Sequence, residues 1–248
     1  TRVKICGLTR IEDAALAALL AEVLDTADGL EISFFEATIA AAFLAFSRTP
    51  ADACVIERLT VIWRQSQAAT TGGHFSHKIA FSPDGQDLFI SSGDRMLGGP
   101  AQELASNLGK VLRLNLDGTP APGNPFAARG GVAAQIWSYG HRNLLGLQFD
   151  AAGQLWDIEH GPAGGDELNR VEAGANYGWP LRSYGDNYNG DPIPDHSPDD
   201  GFSKPAIFWN PVIAPGDFLF YRGSALPGWQ GDAIIAGLGV GTLVRVAM

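Results

Sequence analysis

The sequence predicts an all-β protein of the β-propeller type, with a short α-rich appendage at its N-terminus. Three observations carry this expectation. At Arg58 the composition changes, and alanine-rich helical runs give way to short β-rich runs separated by turns. A strand, an Asp-Gly turn and a second strand occupy Ile79 to Asp94, and the same design recurs from Leu147 to His160. The 31 glycines and 15 prolines supply enough turn residues to break the chain into many short strands.

Bulk chemistry narrows the function. Hydrophobic residues make up 46% and charged residues 18%, which describes a packed protein rather than a disordered one. The net charge of −10 disfavours nucleic acid or an anionic membrane as partner. Cys6 and Cys54 stand alone without a CxxC spacing, so they mark no zinc site. No apolar run approaches the ~20 residues of a membrane span. The opening TRVKICGLTR lacks the apolar core of a signal peptide.

Residues 1–57 are expected to be an α/β leader. Arg2 to Gly7 reads as a strand. Thr9 and Glu12 stand at capping-box spacing before the Ala/Leu-rich run Ile11 to Leu24, and Gly29 ends that helix. Ser33 and Glu36 repeat the spacing before the apolar run Phe35 to Phe46, which Thr49-Pro50 terminates. A helix apolar all round requires cover on every side. Ala53 to Ile56 reads as a strand. VKICGLTRIEDAALAA, within about residues 1–19, resembles the first strand and helix of phosphoribosylanthranilate isomerase, whose general-base cysteine falls at Cys6. One such unit cannot close an eight-fold barrel. ISFFEATIAAAFLAFSRTPADACVIE, within about residues 28–57, resembles an internal piece of the folylpolyglutamate and dihydrofolate synthases. No GxxxxGK[ST] accompanies it, so ATP chemistry has no support. No independent function is expected of this chimeric leader.

Residues 58–248 are expected to hold the β domain. Leu59 to Trp63 reads as a strand, followed by the two strand–turn–strand units. A weaker third copy surrounds Gly228 to Gly237, and Lys110–Asn115 and Thr242–Val246 read as similar outer strands. Repeated four-stranded units favour a propeller over a sandwich. In a propeller, loops after the inner strands share one concave end, which would bring Asp94 and Glu159–Pro162 to a single site. The acidic, proline-rich stretch Gly185 to Gly201, with His196, is expected to be a surface loop. Counting from Asp186, its twelfth residue is Ser197 rather than the glutamate of a calcium-binding EF-hand.

From about Leu59 onward the runs GGHF, IAFSPDG, SSGDR, NLGKVLRLNLDG, IWSYGHRN, EHGPAGGDELN, NYGWP and LPGWQGD follow one another in order. In these the chain resembles the soluble aldose sugar dehydrogenases that use pyrroloquinoline quinone (PQQ), of the glucose/sorbosone dehydrogenase family. The resemblance implies a partial β-propeller, roughly half of a six-bladed ring, with open sheet edges that favour self-association. It implies oxidation of an aldose at the anomeric hydroxyl to a lactone, with PQQ, Ca2+ and an external electron acceptor. By the same resemblance His74 is the base and Asp94 the acid that orients it. Arg142 and Asn143 contact the cofactor together with His74, Arg142 also acting in catalysis by polarising the quinone oxygen, and the backbone carbonyls of Gly161 and Pro162 bind Ca2+. Asp166, Glu167 and Tyr177 are candidates for a further structural calcium site. The family is typically periplasmic. Two departures stand out: Lys78 replaces an arginine, and Leu238-Gly239-Val240-Gly241 occupies a place where the family often has a cofactor-facing polar residue. The competing reading is a non-catalytic partial propeller that serves as an interaction scaffold.

Overall fold

A computed structural model describes Glu22 and residues 61–248. Expectations for the leader therefore lie outside the described residues, apart from the helical state of Glu22. Val61–Met248 forms one compact unit.

That unit is three consecutive antiparallel sheets. The first contains β1 (Ser76–Phe81), β2 (Asp87–Ser92), β3 (Lys110–Asn115) and β4 (Ile136–Tyr139) in sequence order. The second runs from β5 (Leu144–Phe149) through β6 (Leu155–Glu159) to later strands. Between these, β7 (Ala163–Gly164) comes before β8 (Asp166–Arg170), and β9 (Gly185–Asp186) before β10 (Ile207–Trp209). The second sheet has the order β5-β6-β8-β10, and β7 pairs with β9 as a separate ribbon. The third sheet is β11 (Pro215–Phe220), β12 (Ala233–Gly237) and β13 (Thr242–Val246). The first strands of successive sheets, β1, β5 and β11, pack side by side. Meandering sheets joined at their first strands are propeller blades, so the unit is a partial β-propeller.

Alternation along the strands explains the packing. In β2, Phe89 faces the second blade in a cluster with Val111, Leu144, Leu147 and Leu155. Leu88 and Ile90 point the other way, onto Leu114 and Trp63. Between the second and third blades, Ile158 and Leu168 meet Phe218, Phe220 and Ile235. Each fully buried aliphatic side chain of this kind contributes roughly 1.5–3 kcal/mol. In β6, Trp156 and Ile158 go to that cluster, while Leu155, Asp157 and Glu159 occupy the opposite face.

One strand expectation needs correction. Residues 61–63 are not strand: they find no ladder partner among the described residues, and Trp63 caps a cluster while its indole donates to Gln135 Oε1 at 3.0 Å. In the third copy β11 and β12 flank the turn that contains Gly228–Asp232. The Gly185–Gly201 stretch is a loop, apart from the two residues of β9. It is ordered around Asp200, which accepts bonds from the amides of Ser197 and Phe202, from Lys204 and from His196.

Candidate active site

The site begins in the loop entering β1. His74, Ser76 and His77 all have left-handed backbones, with φ of 55°, 55° and 63°. Non-glycine residues rarely hold that conformation unless the surroundings enforce it. Arg95 enforces it here. Its buried guanidinium donates to the carbonyls of His74 (2.5 Å) and Phe75 (2.8 Å), and to Gln65 Oε1 (2.6 Å). Gly93 is required for a different reason: a Cβ there would lie 2.0 Å from the His74 carbonyl oxygen.

Asp94 follows β2 and is fully buried. Its Oδ1 accepts from His74 Nδ1 at 2.6 Å and from the Met96 amide at 2.8 Å. Its Oδ2 accepts from Trp179 Nε1 at 2.7 Å and from the Gly98 amide at 3.2 Å. Burial works to raise this carboxyl, but the hydrogen bonds from His74 and Trp179 outweigh it and hold Asp94 below its ordinary range. An ionised Asp94 can only accept, so it favours the His74 tautomer with its proton on Nδ1, in which Nε2 is the accepting nitrogen.

The second blade supplies the other half. The Asp94 amide donates to the Arg142 carbonyl at 2.8 Å, which ties the two blades together beneath the site. The Arg142 guanidinium reaches the carbonyls of His160 (3.0 Å) and Gly161 (2.6 Å) and lies 5.1 Å from the centre of the Trp179 ring. Asn143 Oδ1 accepts from Ser76 Oγ at 3.3 Å. Glu159, at the end of β6, fixes this turn by accepting from the Arg142 amide (2.7 Å) and facing His141 Nδ1 (3.1 Å). Burial lowers the neighbouring His160 imidazole, with Arg142 and His74 adding to that and Asp166 opposing it. His74, Asp94, Arg142, Asn143 and Gly161 thus form one continuous set across two blades.

Other candidates are held differently. Gly161 has no left-handed backbone, so conformational freedom is not what selects glycine there. Its Cβ position lies 2.1 Å from the Gly164 carbonyl oxygen, so close backbone approach selects it. Pro162 beside it is buried. Both Asp166 oxygens accept backbone amides, Oδ1 from Gly161 and Oδ2 from Ile213 and Ala214. The Tyr177 hydroxyl donates to the Arg170 carbonyl, and Glu167 points to Asn169. Lys78 forms an ion pair at 2.8 Å with Asp217 of the third blade. Leu238 and Val240 are exposed.

Arg95 and Trp179 were not singled out from sequence, although they lie within the SSGDR and NYGWP runs. Trp179 matters most, since one side chain both bonds the His74-bound carboxylate and stacks on Arg142.

The donor set can be tested against PQQ and calcium. Arg142 Nε is buried without a partner, while the space between Arg142, Glu159, Gly161, Glu167 and Trp179 is about 10 Å3, the size of a single water. An unspent guanidinium nitrogen fits an anionic, carbonyl-bearing group. The Gly161 carbonyl suits a hard cation, although Arg142 already donates to it.

Residues 35–248 match the Glucose / Sorbosone dehydrogenase family. Aldose sugar dehydrogenase YliI of Escherichia coli is 35% identical over 198 residues, covering 79% of this chain and 53% of that protein. A crystal structure of a glucose dehydrogenase superposes with a TM-score of 0.72 at 39% identity, covering 76% of this chain and 55% of the other. The PQQ-bound aldose sugar dehydrogenase of Streptomyces coelicolor gives a TM-score of 0.55 at 32% identity, covering 70% and 45%. The chain spans about half the length of the curated relatives it matches. It belongs to the glucose/sorbosone dehydrogenase family.

Proposed function

We propose that this site serves PQQ-dependent oxidation of an aldose at its anomeric hydroxyl to the lactone, with electrons passing to an external acceptor. The observation that carries the reading is the His74–Asp94 pair set beside Arg142 and joined to it through Trp179. His74 Nε2 is the base that takes the hydroxyl proton. Ionised Asp94 keeps the accepting nitrogen toward the substrate and stabilises the imidazolium that results. Arg142 and Asn143 would hold the cofactor, and the guanidinium offsets negative charge that develops on its oxygen. When bound, PQQ would supply the two-electron acceptor for the hydride that leaves the anomeric carbon. The carbonyls of Gly161 and Pro162 would hold Ca2+, with Arg142 turning away from Gly161 to admit it. A further calcium ion at Asp166, Glu167 and Tyr177 would have to draw these groups from their present partners. Support for PQQ comes from the Streptomyces relative and from quinoprotein glucose dehydrogenase B of Acinetobacter calcoaceticus, 49% identical over 73 residues.

One observation favours a second reading, self-association. Ile79 and Phe81 on the inner strand β1 are 59% and 61% exposed, an apolar edge suited to another chain. The test adds PQQ, Ca2+ and glucose to the purified chain and follows dye reduction. The proposal expects turnover that His74→Ala reduces by at least 100-fold. Absence of both turnover and any PQQ spectral change would leave the scaffold reading.

A further inference from the structure

The polar face of the second blade carries more negative charge than its surroundings balance. Alternation places Asp157 and Glu159 of β6 on the same side as Glu167 and Asn169 of β8, and the register pairs Asp157 with Asn169 and Glu159 with Glu167. Two glutamates directly opposite each other repel. All three carboxylates turn toward one amide nitrogen, Asn169 Nδ2, at 3.4 Å (Asp157), 3.0 Å (Glu159) and 3.4 Å (Glu167). An amide has two N–H donors for these three acceptors. Asp157 is fully buried, and its Oδ2 has no hydrogen-bond partner.

The facing groups do not make up the difference. His141 is fully buried, with Nδ1 3.1 Å from Glu159 Oε1 and 3.7 Å from Asp157 Oδ2. Its Nε2 lies 2.8 Å from Ser138 Oγ, and Tyr177 stacks on its ring at 4.5 Å. The nearby Arg142 gives this cluster only its backbone amide, because its guanidinium is directed at the carbonyls of His160 and Gly161. Asp157 and Glu159 therefore share one imidazole, with Glu167 adding a third carboxylate at Asn169. Burying such a group without counter-charge is costly.

We propose that His141 Nδ1, Asp157 Oδ2 and Glu159 Oε1 bind one divalent transition-metal ion, of which Zn2+ is the best match, inside the second blade. Ligand atoms 2.0–2.2 Å from a tetrahedral zinc lie roughly 3.3–3.6 Å apart, and the 3.1 and 3.7 Å separations bracket that spacing. All three atoms fall within 4.8 Å of one another. The imidazole selects against calcium, which takes oxygen ligands, and in favour of zinc. Ser138 completes the arrangement. By accepting the Nε2 proton it turns the Nδ1 lone pair toward the metal, as a hydrogen-bonded partner behind a ligating histidine does. Without a cation, burial and the Glu159 charge push Asp157 well above its ordinary range. The metal would enter during folding, because every ligand is buried. The site would brace the strand end that holds the Arg142 turn.

The experiment folds the full chain with Zn2+, desalts it into metal-free buffer and measures bound metal by mass spectrometry. The expected result is one zinc per chain, falling at least tenfold in Asp157→Asn. A Tm that rises with Zn2+ in the parent and not in the variant is expected alongside it. Retention of no metal by the parent, or equal retention by Asp157→Asn, would overturn the proposal. If the variant fails to fold, Co2+ loaded into the parent decides: visible ligand-field bands of a nitrogen–oxygen tetrahedral site support it, and their absence overturns it.

Discussion

Asp94→Asn probes the joint on which the site depends. Asp94 accepts four hydrogen bonds, two on each oxygen, and is closed to solvent. Asparagine keeps one acceptor oxygen and turns the other into a donor. In either orientation two existing donors then face an NH2 group. Hydrogen bonds to a charged group contribute about 1.5–3 kcal/mol each, so losing two costs about 3–6 kcal/mol. With a urea m-value near 3 kcal/mol/M, the midpoint should fall by about 1–2 M. The loss should depend on pH with a definite sign. Because the folded pKa is depressed below the ordinary value of 3.8, the unfolded chain takes up the proton first as pH falls. The stability contributed by Asp94 is therefore fully present above that value and disappears as pH drops through the folded pKa, where the two proteins converge. Urea unfolding at pH 7 and at steps down to pH 3 measures both effects. A loss below about 1 kcal/mol at pH 7 would refute the view that Asp94 anchors this loop.

Three further predictions concern the same framework. Arg95→Ala removes the donors that hold the left-handed His74–His77 backbone, so amide exchange there should accelerate at least tenfold by mass spectrometry; unchanged protection would contradict the clamp. Gly93→Ala places a Cβ 2.0 Å from a backbone oxygen and should cost at least ~2 kcal/mol in urea unfolding. Lys110 is fully buried with Nζ bonded to the carbonyls of Pro100, Ala101 and Leu108. Lys110→Met, at similar volume, strands these three acceptors and should destabilise by about 3 kcal/mol at the low end of one unmet bond each; calorimetry showing no loss would remove Lys110 from the structural account.

Much of the propeller was legible because its signals are local. The Asp84-Gly85 turn and period-2 alternation placed β1 and β2, and the repeat at Leu147 placed β5 and β6. Of the strand expected at Leu59–Trp63, the described residues 61–63 are not strand, because a β-rich run becomes strand only where a neighbour offers a ladder, and Trp63 is instead used as a cap. In the third blade the turn glycines Gly228 and Gly231 marked the connection between β11 and β12. His74, Asp94, Arg142, Asn143 and Gly161 could be named from motifs, but their mutual contact is a property of blade packing. Trp179 and Arg95 escaped notice because their roles are three-dimensional. A tryptophan in a turn and an arginine after an aspartate carry no spacing that shows them bonding a carboxylate from another blade or clamping a loop. The charge excess on the second blade was hidden for a related reason. Asp157 and Asn169 become neighbours only through the β6–β8 register.

In the proposed function, residues from two blades hold one cofactor, and equilibrium binding tests this without requiring turnover. PQQ titrated into the purified chain with and without Ca2+, followed by quenching of tryptophan fluorescence, should saturate at one PQQ per chain and tighten with Ca2+. Arg142→Ala should weaken that binding at least tenfold, the expected loss of a charge-assisted contact. Absence of saturable quenching in the parent, or equal binding by the Arg142→Ala variant, would contradict it.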